Sequence, residues 1–202
     1  MSILFADSKT RENLMRAFAG ESQARNRYTI AAEQAKKEKL HAISKVFEFT
    51  AEQERAHAKV FYELLKESSG QSVRIDGTYP TDVYDNTQKL LRSAQHNELQ
   101  EYENVYQSFG TTAKEEGFER ASGAFFSIAE IERVHAERFG TLAGLLEDNH
   151  MYTKIEGGKW MCLNCGYIYD GTEVPQYCPV CHHDRGFFIP LEMSPFNTAL
   201  KK

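Results

Sequence analysis

The feature that most constrains the fold is an eight-residue motif that occurs twice, at residues 51–58 and 129–136. The copies read Ala-Glu-Gln-Glu-Arg-Ala-His-Ala and Ala-Glu-Ile-Glu-Arg-Val-His-Ala, and 78 residues separate equivalent positions. Phe47 and Phe125, which precede the two copies, have the same separation. The repeat predicts two equivalent helices, and therefore a helical domain made of two halves related by pseudo-symmetry.

Four long segments with helical periodicity account for most of the first 150 residues. We expect helices from Asp7/Ser8 to about Lys37, His41 to Ser68, Thr87 to Gly117 and Phe118 to Asp148. The connection between the second and third helices, residues 71–86, shows no helical period. Two helical hairpins joined by one long crossover form a ferritin-like four-helix bundle. We therefore predict an all-α ferritin-like domain over residues 1–150.

Acidic and histidine side chains interrupt the apolar stripes of all four predicted helices. They are Glu21 in the first helix, Glu54 and His57 in the second, Glu98 and Glu101 in the third, and Glu132 and His135 in the fourth. Burying an unpaired carboxylate costs roughly several kcal/mol, and bound cations offset that cost. A Glu-x-x-His pair from each of two helices, with glutamates from the other two, is the ligand set of di-iron carboxylate bundles. Oxygen and imidazole ligands together suit iron or manganese better than tetrahedral zinc.

A surface location is the alternative for any single glutamate on an amphipathic helix, but it does not explain seven in-phase positions. Other polar residues on these helices fit a surface location better, and these are Glu52, Glu130, His41, His96 and His150. We expect the two glutamates to be solvated or salt-bridged and the three histidines to be exposed. Tyr28 and Tyr106 point toward the acidic cluster, either as hydrogen-bond donors to its carboxylates or as ordinary core residues.

The four cysteines of the chain are Cys162, Cys165, Cys178 and Cys181. Two Cys-x-x-Cys pairs separated by twelve residues predict one tetrahedral metal site, and this spacing suits both zinc and iron. Two disulfides would be the alternative in a secreted protein. We expect a second, small metal domain of short β-strands and turns at residues 159–202, joined by a linker at 151–158. His182 and His183 follow the last cysteine, and we expect them to take no part in ligation.

The net charge and the hydropathy of the sequence argue against a nucleic-acid partner and against a membrane-spanning segment. The net charge of −5 argues against nucleic-acid binding, which needs a concentrated positive face. The sequence carries no apolar run of membrane-spanning length. The opening residues carry too short an apolar stretch for a secretory signal, so we expect a cytoplasmic location.

Both parts of the chain together resemble rubrerythrins. The resemblance rests on residues 19–28 (Ala-Gly-Glu-Ser-Gln-Ala-Arg-Asn-Arg-Tyr), 53–58, 98–102 (Glu-Leu-Gln-Glu-Tyr) and 132–135 (Glu-Arg-Val-His). The tail resembles a rubredoxin through Trp160, residues 162–169 (Cys-Leu-Asn-Cys-Gly-Tyr-Ile-Tyr) and residues 178–181 (Cys-Pro-Val-Cys).

The resemblance implies a non-haem di-iron peroxidase that reduces hydrogen peroxide to water and protects against oxidative stress. Its cofactors would be two irons, oxo-bridged when oxidised, and one iron in the tetracysteine site that passes electrons to them. The seven buried acids and histidines would be the di-iron ligands, and Glu54 and Glu132 would bridge the irons. His57 and Glu101 would be alternative ligands to one iron, exchanged between its redox states.

The resemblance also implies partners. Electrons would come from an external donor such as a rubredoxin or an NAD(P)H-dependent reductase. The chain would form a head-to-tail homodimer, in which the tail of one subunit lies near the di-iron site of the other. Two other functions remain open: an iron-handling protein that oxidises ferrous iron with dioxygen, and a non-catalytic scaffold with structural zinc in its tail.

Overall fold

The structure is a computed structural model that describes residues 3–195. Its helices are α1 Lys9–Lys37, α2 His41–Leu64, α3 Thr87–Gln100, α4 Tyr106–Glu115 and α5 Glu119–Glu147. A π-helical turn, Glu101–Val105, joins α3 to α4, so the two form one rod of a four-helix bundle. This confirms the ferritin-like architecture. The ends of the expected domains, residues 1–2 and 196–202, lie outside the described residues.

Side-chain caps define where the helices begin. Ser8 is the N-cap of α1, and its hydroxyl accepts a hydrogen bond from the backbone N–H of Arg11 at 3.1 Å. The carboxylate of Glu116 also accepts from the N–H groups of Lys9 and Thr10, at 3.0 and 2.8 Å. These contacts satisfy donors that the first turn of a helix leaves free, and an acid there complements the helix dipole. They also tie the start of α1 to the end of α4.

Two aromatic clusters fill the core, and the internal repeat relates them. Near one end, the ring of Phe47 lies 5.1 Å from that of Phe139 and 6.0 Å from that of Tyr28. Near the other end, Phe125, Phe61 and Tyr106 form the equivalent cluster, with centroids 5.0–6.0 Å apart. On α2, Glu54 lies two turns from the phenylalanine of each cluster. The acidic residues therefore lie between two layers of packed aromatic side chains.

The π turn is where the two halves of the bundle differ by one residue. Before it, buried residues of α1 match residues of α3 that lie 77 positions later: Leu14 with Leu91, Ala17 with Ala94, and Glu21 with Glu98. After it, the separation is 78, as for Tyr28 with Tyr106 and Ala35 with Ala113. One residue added to a helix is accommodated by one wider turn. The predicted third helix is therefore not a continuous α-helix.

The C-terminal segment forms a three-stranded antiparallel sheet in the order β2-β1-β3. The strands are β1 Thr153–Cys162, β2 Ile168–Glu173 and β3 Phe188–Pro190. Trp160 of β1 is fully buried, and its indole N–H donates to the carbonyl of Met151 at 3.0 Å. Residues 153–158 belong to β1, although we expected them to be part of a linker. Their pairing with β2 is irregular between Thr153 and Gly158.

The sheet domain packs on the turn between α1 and α2. The ring of His41 stacks on Phe187 with centroids 4.3 Å apart, and its Nε2 lies 3.4 Å from a carboxylate oxygen of Asp184. The Lys45 ammonium donates to the carbonyl of Leu163 at 2.9 Å. The prediction that His41 is exposed was therefore wrong, because the tail covers it. His96 and His150 are exposed, as expected.

Within residues 3–195, no helix has the length and apolar character needed to cross a membrane.

Packing of the tail on the bundle predicts the effect of a methyl group at Gly186. A Cβ at this position would overlap the backbone carbonyl of Lys39 in the α1–α2 turn. Because a backbone group cannot move aside cheaply, we expect Gly186→Ala to destabilise the protein by roughly 1–3 kcal/mol. Thermal unfolding of the full chain measures the loss.

Gly123→Ala is the matched control, since no atom lies within 4 Å of the added methyl group on the exposed face of α5. Because alanine favours a helix, this change should leave stability equal or higher by up to ~1 kcal/mol. Equal unfolding temperatures for Gly186→Ala and the unaltered protein would contradict the packing described here.

Candidate metal centres

Two groups of buried side chains in the middle of the bundle can each hold a metal ion. One group, the His57 position, consists of Glu21, Glu54, His57 and Glu132. The other, the His135 position, consists of Glu54, Glu98, Glu132 and His135. In each group the potential ligand atoms lie within 4.8 Å of one another. The two positions share the carboxylates of Glu54 and Glu132.

The shared carboxylates point one oxygen at each position. Glu54 places Oε1 3.0 Å from Nδ1 of His135 and Oε2 3.5 Å from Nδ1 of His57. Glu132 places Oε1 3.0 Å from Nδ1 of His57 and Oε2 2.7 Å from Nδ1 of His135. Each carboxylate therefore spans the two positions, as a bridging ligand of a metal pair does. The rings of the two histidines are nearly parallel, with centroids 5.7 Å apart.

The polar atoms of this cluster are buried, and most have no hydrogen-bond partner. Nine of the thirteen buried side-chain nitrogen and oxygen atoms without such a partner, within residues 3–195, belong to the two positions. They include both carboxylate oxygens of Glu54 and of Glu132. Buried polar atoms almost always have a hydrogen-bond partner. A cluster of nine such atoms without one therefore suits the binding of two cations.

Two tyrosines donate hydrogen bonds to the outer carboxylates. The hydroxyl of Tyr28 donates to Oε1 of Glu98, and the hydroxyl of Tyr106 donates to Oε1 of Glu21. Both tyrosines are fully buried. They leave Oε2 of each glutamate free to face the metal position. Such donors fix the orientation of a ligating carboxylate.

Burial and mutual repulsion perturb the titration of the cluster. Burial raises the pKa of Glu21 and Glu98 well above the usual range, and the neighbouring carboxylates raise it further. Burial alone would lower the pKa of His135, but the surrounding carboxylates, Glu132 first, outweigh it and raise the pKa to about 12. His57 shifts in the same direction for the same reasons. Without metal, the cluster thus retains protons that a cation would displace.

Glu101 is the one predicted site residue that the structure leaves out of both positions. It lies at the start of the π turn and is half-buried. It lines a cleft of about 840 Å³ between α1, α3 and the crossover segment, together with Gly20, Tyr79 and Tyr106. Burial raises its pKa well above the usual range, and the charges of Glu98 and Glu132 add to that effect. Its counterpart in the α1 half, 77 residues earlier, is Ala24.

The neighbouring charged residues of the repeated motif face solvent. Glu52 is exposed and pairs with Arg55 at 2.8 Å, and Glu130 is exposed and pairs with Arg133 at 3.3 Å. Both contacts confirm that the first glutamate of each motif is salt-bridged at the surface.

The four cysteines form a second cluster in the sheet domain. The Sγ atoms of Cys162 and Cys181 lie 3.8 Å apart, and those of Cys165 and Cys178 lie 3.7 Å apart. A tetrahedron with metal–sulfur bonds of about 2.3 Å has edges of about 3.8 Å, so these spacings fit one ion. Disulfide bonds need about 2.05 Å, so the cysteines are not paired covalently.

The local backbone prepares part of this cluster for ligation. Hydrogen bonding from the backbone N–H of His183 lowers the pKa of Cys181 to about 6, whereas burial raises the pKa of Cys162 to about 12. A bound cation is therefore needed to hold all four as thiolates. The imidazoles of His182 and His183 are exposed and belong to none of the candidate metal groups among residues 3–195.

Comparison with known proteins agrees with this pair of sites. The sequence profile of the family described as Rubrerythrin matches residues 12–143, and that of the rubredoxin-like domain of rubrerythrin matches residues 160–189. The chain belongs to the rubrerythrin family. The carboxylate and imidazole cluster accordingly suits a di-iron site, and the four cysteines form a rubredoxin-like iron site.

Curated rubrerythrins match along most of their length. The chain is 45% identical to Rubrerythrin-1 of Clostridium acetobutylicum, covering 90% of this chain and 93% of that protein. It is 39% identical to the rubrerythrin of Nitratidesulfovibrio vulgaris, with the same coverage of each chain. A solved structure of fully reduced, all-ferrous nigerythrin matches with a TM-score of 0.62 and 30% identity, covering 93% of this chain and 91% of that one. The rubrerythrin homologues indicate an iron oxidoreductase.

The perturbed pKa values predict how pH affects the metal-free protein. The folded pKa of His57 and of His135 lies above the unfolded value of about 6.5, so their contribution to stability is full below that pH and declines above it. The raised pKa values of Glu21 and Glu98 act in the same direction, because these carboxyls must ionise inside the bundle. We expect the Tm of the metal-free protein to fall from about pH 6.5 to about pH 9.

The same protein saturated with Mn²⁺ is the control, since bound metal keeps the carboxylates ionised and the imidazoles neutral at every pH in this range. Its Tm should change much less. Calorimetry or circular dichroism measures both forms. A metal-free Tm that rises with pH over this range would contradict the account of the cluster.

Proposed function

We propose that this protein is a peroxidase that reduces hydrogen peroxide to water at a di-iron site, with electrons supplied through its own tetracysteine iron. The observation that carries the proposal is that two buried metal positions share the carboxylates of Glu54 and Glu132, in a chain that also holds a rubredoxin-like site. Storage of iron has no need of an attached one-electron carrier. Reduction of an O–O bond needs two electrons, which a metal pair holds together.

The residues proposed as di-iron ligands are Glu21, Glu54, His57, Glu98, Glu101, Glu132 and His135, and Cys162, Cys165, Cys178 and Cys181 are proposed for the single iron. Six of the seven di-iron candidates surround the two positions. Glu101 and His57 are proposed as alternative ligands to one iron, exchanged between its redox states. The geometry that supports this exchange is that His57 faces the cluster while Glu101 lies beside it in the cleft.

The overall reaction consumes one hydrogen peroxide, two electrons and two protons and yields two water molecules. When bound, the two ferrous irons supply both electrons. The protein supplies a dry, shaped site and a path for protons. Glu101 is suited to carry protons because its carboxyl reaches the cleft and its pKa is raised by burial. Tyr106 holds Glu21 in place from the same side.

The tetracysteine site of one subunit is proposed to reduce the di-iron site of another. The tail contacts its own bundle at His41, thirteen residues before Glu54 on α2. At a rise of 1.5 Å per residue, His41 and Glu54 lie roughly 20 Å apart along α2. The rate of electron tunnelling falls exponentially with distance. Electron transfer from the tetracysteine site to the di-iron site of the same subunit would therefore be slow. A head-to-tail homodimer brings a second tail closer to the site.

The proposed setting is the cytoplasm, where thiols stay reduced and available to a metal. The proposed electron donor is a rubredoxin or an NAD(P)H-dependent reductase, which would refill the tetracysteine iron one electron at a time.

Anaerobic stopped-flow spectroscopy tests the proposed reaction. The iron-loaded protein is reduced fully and mixed with hydrogen peroxide or with dioxygen, while the visible spectrum is recorded. We expect the di-iron and ferric tetrathiolate absorption to return faster with peroxide, because its reduction to water takes the two electrons that a pair of ferrous irons holds, whereas reduction of dioxygen to water takes four. In the Cys178→Ser variant, the reduced di-iron site should still be oxidised once by peroxide. Steady-state turnover with the external electron donor should be lost, because the tetracysteine site no longer re-reduces the di-iron site. Faster oxidation by dioxygen would favour an iron-handling oxidase instead.

Mixed dimers test the path of the electrons. One parent carries Glu54→Gln, which impairs the di-iron site, and the other carries Cys165→Ser, which impairs the tetracysteine site. No subunit of the mixture has both sites intact. We expect steady-state peroxidase activity to appear after the parents are unfolded and refolded together, because an intact tail then serves an intact site across the interface.

The two parents refolded separately and then combined without exchange are the control. Activity no higher in the refolded mixture than in this control would contradict transfer between subunits.

A further inference from the structure

Arg138 lies beside the di-metal site without being one of its candidate ligands. It is on α5, almost one turn beyond His135, and it is partly buried. Its Nη1 donates to Oγ1 of Thr50 and to Oε1 of Gln53, both at 2.9 Å. Its guanidinium also lies over the ring of Phe49 at 5.4 Å. All three partners are on α2, so Arg138 connects the two helices that carry the Glu-x-x-His motifs.

Within residues 3–195, the guanidinium of Arg138 forms no ion pair. Both hydrogen-bond acceptors are neutral, and no carboxylate oxygen among residues 3–195 forms a salt bridge with it within 4.0 Å. Arg133 on the same helix, by contrast, pairs with Glu130 and Glu137 at the surface. Burial lowers the pKa of Arg138, and the charges of the metal-site carboxylates, Glu98 first, oppose that shift. The negative charges that act on Arg138 are those of Glu98, Glu54 and Glu132 at the metal site.

The hydrogen bonds of Arg138 to Thr50 and Gln53 have no equivalent among the residues that the internal repeat relates to them. The residues 78 positions after Thr50 and Gln53 are Ile128 and Ile131, and the residue 78 positions before Arg138 is Val60. The polar group of three is thus replaced by three aliphatic residues in the other half. The carboxylates and histidines of the repeat are kept in both halves. Arg138 therefore acts on the carboxylates of the His135 position, Glu98 first, and the equivalent residue in the other half is the uncharged Val60.

We propose that Arg138 sets an electrostatic difference between the two metal positions, weakening the binding of metal charge at the His135 position and favouring the ferrous over the ferric state there. The proposal rests on the di-metal site of the proposed function. Like charges repel, and the repulsion grows with the charge of the metal, so a 3+ ion is disfavoured more than a 2+ ion. The contacts with Thr50 and Gln53 hold the guanidinium in place for this effect.

The electrostatic role and a purely structural role predict opposite results. If Arg138 acts by charge, Arg138→Gln strengthens divalent metal binding by roughly three- to tenfold, because a repulsive charge has been removed. It also lowers the reduction potential of the di-iron site. If Arg138 acts only as a clamp between α2 and α5, its loss loosens the site and weakens binding.

The test uses the full chain with iron in the tetracysteine site and the di-metal site emptied. Calorimetric titration with Mn²⁺ measures affinity without any redox step. Arg138→Gln is compared with Arg138→Lys, which keeps the charge, and with Arg133→Gln, which removes a surface arginine from the same helix. Spectroelectrochemistry of the iron-loaded proteins then measures the di-iron potential, with the tetracysteine iron as an internal reference.

We expect Arg138→Gln to bind Mn²⁺ more tightly and to show a lower di-iron potential, while the tetracysteine potential stays unchanged. Arg138→Lys and Arg133→Gln should remain close to the unaltered protein. Unchanged or weaker Mn²⁺ binding by Arg138→Gln overturns the proposal. So does an Arg138→Lys variant that behaves like Arg138→Gln. If the unaltered protein takes up no Mn²⁺ or iron at the carboxylates, the di-metal site itself is wrong, and the proposal falls with it.

Discussion

The structure depends on the burial of Glu54 and Glu132 between the two helical hairpins, where each faces both histidines of the repeated motif. These two carboxylates repel each other when ionised, and none of their four oxygens has a hydrogen-bond partner. Cations relieve both problems at once, and they join the hairpins through ligands from each. The two aromatic clusters pack on either side of these carboxylates. Metal binding therefore stabilises the assembled bundle.

The two metal centres of the chain differ in the chemistry of their ligands and in their burial. The bundle holds its metals with hard oxygen and imidazole ligands between two layers of aromatic side chains, which suits a pair of irons that bind oxygen-containing molecules. The tail holds its metal with thiolates near the surface, where Cys165 is exposed, which suits exchange of single electrons with a partner. The tail packs on the α1–α2 turn at His41, which lies roughly 20 Å along α2 from Glu54 of the same subunit, and the proposed function therefore includes an oligomer.

Much of this was predictable from sequence because the signals were periodic. The repeat located Glu54, His57, Glu132 and His135, and the structure brings these four together. The π turn was missed, although the change from 77 to 78 in the spacing between the first and third helices would have revealed it. Contacts between residues that are distant in sequence could not be predicted from periodicity. The stacking of Phe187 on His41 is one of them. Arg138 was missed for the same reason, since its partners are on another helix.

We conclude that the buried carboxylates hold a pair of irons and that the cysteines hold a third. Anomalous diffraction from crystals of the iron-loaded protein, recorded on both sides of the iron absorption edge, locates these irons. We expect two adjacent peaks spanned by Glu54 and Glu132, and a third among the four cysteines. A single peak in the bundle, or a cysteine peak that appears at the zinc edge and not at the iron edge, would contradict it.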